Sequence, residues 1–138
     1  MFLNILLVMT NPEDFVYSPE AESSLQQPEI ETRLQVARQL ATQHPESAIL
    51  YSWSLVEATL RLVAEHEGMS LQRLDPLYLV KQLATEGVIS RSEYQLLMNA
   101  ISLRNAVAHG FQTTQITQES VYQLIDLAEQ LLTTLPIS

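Results

Sequence analysis

The stretch Ala48–Ala64, "AILYSWSLVEATLRLVA", constrains the fold more than any other part of the sequence. It holds no glycine or proline, and apolar side chains fall on almost every side of a helix drawn through it. A helix at the edge of a domain needs one apolar stripe, whereas one that is apolar nearly all round must be enclosed by neighbours. The stretch therefore predicts the central helix of a bundle.

The surrounding helices are marked by their ends. Pro28 suits a first helical position, and Ile30, Leu34, Ala37 and Ala41 share a face through about residue 43. The central helix starts near Pro45 and ends before Gly68, which suits a helix C-terminus. Asp75 and Pro76 fit the N-cap and first position of a short helix that ends at Gly87. Ser90 and Glu93 have capping-box spacing and open a helix running to about His109, with its stop at Gly110. A last helix spans about Thr117 to Thr134 and carries Val121, Leu124, Ile125, Ala128, Leu131 and Leu132 on its apolar face. With only 3 glycines and no recurring strand alternation or Asn-Gly turn, a β architecture is disfavoured. The expected fold is all-α, an up-down bundle of about five helices over residues 28–138.

Residues 1–27 look different. "MFLNILLVM" is too short to span a bilayer and lacks the basic start and small-residue cleavage site of a secretory signal. It reads as an apolar segment that docks on the domain or a partner, or as the start of a piece of a longer protein. The following stretch, rich in proline and acidic residues, reads as a linker or loosely packed arm.

The 16 acidic residues outnumber the 7 basic ones, for a net charge of −9. Such a field opposes non-specific binding to polyanions, so any contact with nucleic acid needs a local basic site. The absence of cysteine rules out disulfides and thiolate metal sites and fits a cytoplasmic setting.

The chemistry concentrates in "LRNAVAHGF", residues 103–111. At about 100° per residue, Arg104, Asn105 and His109 share one side of the helix. Leu96, Ala100, Leu103 and Val107 form a core stripe on the other. Leu97, Met98, Ile101 and Ala108 lie on the polar side, so that side too must be covered, and a second subunit is the expected cover. Histidine can exchange protons near neutral pH, and a guanidinium can stabilise a developing oxyanion. The plainer alternative is that His109 is a satisfied core histidine.

With these residues in view, "ISLRNAVAHG" resembles the R-x4-6-H signature of HEPN domains in its Arg-Asn-x3-His form. "YSWSLVEATLRLVAEHEG" and "LVKQLATEGVISRSEYQLL" are similar to the helices that precede the signature in that family, so the likeness covers about residues 28–134. The resemblance implies a homodimer whose Arg/His motifs face each other. It also implies either a metal-independent endoribonuclease of bacterial toxin–antitoxin or defence systems, or a catalytically silent module for dimerisation, assembly or regulation. Arg104 and His109 would be catalytic and Asn105 a positioning residue. RNA would be the substrate, and an antitoxin or nuclease-like protein a further partner. Phe111 stands where some family toxins carry a tyrosine that a partner nucleotidyltransferase modifies, so the sequence departs from that form of control.

Glu57 and Arg61, four apart on the central helix, fit an intrahelical ion pair. The functional alternative makes them supports behind the motif, with Glu57 orienting Arg104. Trp53 on the same face reads as core rather than as a platform for a base. No metal site, cofactor or membrane association is expected: His66 with Glu65 and Glu67 lacks ligand geometry, because sequence neighbours diverge on a helix.

Overall fold

The computed structural model describes residues 25–69, 75–111 and 116–136. They form five helices: α1 (Gln27–Ala41), α2 (Pro45–His66), α3 (Pro76–Thr85), α4 (Arg91–Ala108) and α5 (Gln118–Leu132). There is no strand among the described residues, and the helices pack as a bundle. No described helix is long and apolar enough to cross a membrane.

Each start has a local cause. Pro45 and Pro76 open α2 and α3, where a missing N–H costs nothing. Asp75 accepts from the Leu77 N–H at 3.0 Å, which satisfies a donor at the open end of α3. At α4 the box is reciprocal: Glu93 N–H donates to Ser90 Oγ at 3.1 Å, and Ser90 N–H to Glu93 Oε1 at 2.7 Å. The first helix begins a little ahead of Pro28. Leu25 is already buried in the core, and Gln26 N–H donates to Glu29 Oε1 at 3.3 Å. The bundle thus takes in the last residues assigned to the arm; residues 1–24 lie outside the described residues.

The pairing of helices explains the central stretch. On one side α1 and α5 pack on α2 and on each other, and on another α3 and α4 do the same, while α4 also meets α5. Helix α2 belongs to both groups, so Leu55, Val56, Ala58 and Leu60 are all fully buried although they point in different directions. Ile30 and Leu34 of α1 and Leu124 and Ile125 of α5 are as deeply enclosed. Truncating one of these large side chains to alanine removes about 2–5 kcal/mol of stability. Arg38 ties the α1–α5 edge from outside, donating to Asp126 at 2.9 Å and Glu129 at 2.6 Å and lying over the Tyr122 ring at 5.4 Å.

Candidate functional site

The motif occupies the last turn of α4 and its cap. His109 is the C-cap residue, and its N–H donates to the Asn105 carbonyl at 3.0 Å. Gly110 follows at φ +78°, a left-handed conformation that costs a residue with a Cβ about 1–2 kcal/mol. Its N–H reaches the Val107 carbonyl at 2.9 Å, and the Phe111 N–H reaches the Ala106 carbonyl at 2.8 Å. These two bonds close a Schellman motif. They make the chain around His109 a defined corner, because orphan carbonyls of the helix end are satisfied there.

The side chains differ in exposure. His109 and Asn105 are exposed, and Arg104 is half-buried with Nη1 donating to Asn105 Oδ1 at 3.1 Å. His109 is therefore not a core histidine. Phe111, next on the corner, is 65% exposed, and its ring centroid lies 6.3 Å from that of His109 at 40°. In many Schellman motifs the residue after the glycine packs back onto the helix. Here the ring stays largely in water. Sequence reasoning passed over its exposure; the signal available was an aromatic directly after a capping glycine.

Glu57 and Arg61 lie on the inward-facing part of α2. Arg61 is buried and Glu57 half-buried, with Nη2 and Oε2 3.7 Å apart. Burial pushes the Glu57 carboxyl above the usual carboxylate range. Arg61, a hydrogen bond from the Trp53 indole and the charge of Arg104 oppose that shift. Trp53 is core, as expected. Helix α4 packs on α2, and His109 stays outward at the corner.

The four residues expected at an interface differ in burial. Leu97 is fully buried within the protomer, and Met98 and Ile101 are half-buried against its core. Leu97 cannot contact a second subunit without unpacking the domain. Of the four residues, Ala108 alone is exposed. The core stripe itself runs through Leu97, Ala100 and Leu103, rotated from the expected one, with Leu96 and Val107 only half-buried.

Among the described residues no group of three or more His, Cys, Asp or Glu side chains is placed to hold a metal ion. Comparison with protein-family models, with curated proteins and with solved structures gives no match for this chain.

Proposed function

We propose that the chain is a HEPN-like homodimer that cleaves RNA without a metal, with His109 moving protons and Arg104 stabilising charge. The observation that carries this reading is the corner at the end of α4: an exposed imidazole on a capped, well-defined turn, with a half-buried arginine one turn earlier. A proton-transfer group must reach its substrate, and His109 is open to solvent. A guanidinium acts best where water is partly excluded, and Arg104 is in such a seam.

In the proposed reaction the ribose 2′-oxygen attacks the adjacent phosphorus and loses its proton to a neutral imidazole. The phosphorus–5′-oxygen bond breaks, and the leaving oxygen takes a proton from a protonated imidazole. The products are a 2′,3′-cyclic phosphate and a 5′-hydroxyl. Two copies of the motif across a twofold axis divide the acid and base roles. Arg104 neutralises the extra charge on the phosphorane oxygens. Asn105 holds the guanidinium through its Oδ1.

The second reading, a silent module for assembly or regulation, is favoured by the net charge of −9, which repels RNA at long range. One experiment separates the two. Purified protein is incubated with RNA in EDTA, beside the His109→Ala variant and a substrate carrying 2′-deoxyribose at the cleavage position. The ribonuclease reading expects cyclic-phosphate ends from wild type only, and no cut at the deoxy position. Cleavage that needs added Mg²⁺, or that persists in His109→Ala, overturns it. Inactivity on a broad RNA set by a folded dimer favours the silent module.

A further inference from the structure

Arg104 Nη1 donates to Asn105 Oδ1 at 3.1 Å, although neighbours on a helix point about 100° apart. That bond decides which way the Asn105 amide faces. A guanidinium only donates, so the amide oxygen faces Arg104 and the nitrogen faces away from it. The reversed amide would set N–H against N–H.

The nitrogen is turned to an open surface. Asn105 is exposed, and its Nδ2 has no hydrogen-bond partner among the described residues. His109 stands one turn later, its backbone N–H bonded to the Asn105 carbonyl at 3.0 Å. Residues four apart on a helix hold their Cβ atoms about 5–6 Å apart, so the amide and the imidazole share one patch.

Donors and acceptors on that patch are unequal. Arg104 offers only donors, and the one side-chain acceptor of Asn105 is taken up within the pair. What the pair turns outward is therefore donors alone, with a positive charge behind them. A ligand that suits it carries acceptors and negative charge and needs no donor of its own. The non-bridging oxygens of a phosphodiester fit that description. A nucleobase edge, which mixes donors with acceptors, fits it less well.

We infer that Asn105 is a catalytic residue whose Nδ2 donates to a non-bridging oxygen of the scissile phosphate, beside the Arg104 guanidinium. The inference rests on the reading of Arg104 and His109 as a ribonuclease site. A residue that only holds the guanidinium needs Oδ1 and leaves Nδ2 without a task. As charge builds on the phosphorane oxygens the Nδ2 bond strengthens, so it lowers the barrier as well as binding the substrate.

The test follows the Asn105 side-chain amide by nitrogen-15 NMR, its signals assigned by their loss in Asn105→Asp. The probe is an RNA oligonucleotide of mixed sequence with 2′-O-methyl groups throughout, which lacks the nucleophile and stays intact. On adding it at low salt, the Asn105 amide protons should shift and their exchange with water should slow roughly tenfold, since a bonded proton is protected. The His109 ring signals should move in the same titration. Asn105 is exposed, so Asn105→Ala keeps the fold. That variant should bind the probe roughly tenfold more weakly, the loss expected for one hydrogen bond to a charged group. It should also lower kcat for RNA cleavage roughly tenfold to a hundredfold.

His109 signals that move while the Asn105 amide signals stay still overturn the inference and leave the ribonuclease reading standing. Signals of both residues unchanged at millimolar probe overturn both. An Asn105→Ala variant that binds the probe and cuts RNA as wild type does also overturns the inference. Protected Asn105 amide protons in a protein that cuts no RNA uphold the phosphate contact and count against the ribonuclease reading alone.

Discussion

The backbone N–H of His109 donates to the carbonyl of Asn105 at 3.0 Å, so the bond that ends helix α4 joins two of the motif's three polar residues. The imidazole itself is exposed and removes no core packing when it is truncated. His109→Ala should therefore shift the melting temperature by less than about 3 °C, within the usual range for surface substitutions. It should also abolish RNA cleavage. Calorimetry or circular dichroism on the variant checks the first point, and a large loss of stability would show that the imidazole has a structural task.

The chain should be a dimer at micromolar concentration, measured by sedimentation or light scattering. Ile101→Asp should split it, but Ile101 is half-buried against the core, so that change also strains the protomer. Phe111, 65% exposed on the same corner as His109, gives the cleaner probe. An exposed aromatic gains most from burial at an interface, so Phe111→Ser should weaken the dimer by roughly tenfold or more. Unaltered association in Phe111→Ser puts the interface elsewhere.

Arg38 bridges α1 to α5 through Asp126 and Glu129 while covering Tyr122. Its side chain is 30% exposed, so each pair is partly screened. Together the ion pairs and the ring contact contribute about 1 kcal/mol. Arg38→Ala should lose about that much in urea unfolding at low salt and less in 1 M NaCl, because salt weakens the charged part. Arg38→Lys should recover only part, since an ammonium lacks the planar guanidinium that lies over the Tyr122 ring. Equal losses at both salt concentrations would make the Tyr122 contact the main contribution.

Glu57 makes stability depend on pH in a definite direction. Burial raises its carboxyl in the folded protein, so the folded state binds a proton more readily than the unfolded state. Between the unfolded value near 4.5 and the higher folded one, stability from this group falls as pH rises. Wild type should therefore gain stability relative to Glu57→Gln as pH drops through that window. Above it the difference is constant. Urea unfolding of both proteins at several pH values measures the difference, and a trend of opposite sign would mean that Arg61 and Arg104 outweigh the burial.

Helix identity and helix ends followed from local chemistry in the sequence. Proline or a capping side chain at Pro45, Asp75 and Ser90, and left-handed glycines at Gly68, Gly87 and Gly110, act within one turn of where they stand. The apolar faces of α1 and α5 were equally legible, since Ile30, Leu34, Ala37 and Ala41, like Leu124, Ile125 and Ala128, are spaced for a single buried stripe. The phase of α4 was not. Its apolar residues extend over a wide arc, and helical periodicity gives their angles relative to one another but not the direction of the core. Packing against α2, α3 and α5 decided that, taking Leu97 inward and leaving Ala108 outside. The site divides in the same way: the spacing of Arg104, Asn105 and His109 is written in the chain. The burial of Glu57 and Arg61 exists only because α1, α3, α4 and α5 pack around α2, through burial of apolar surface from residues far apart in sequence.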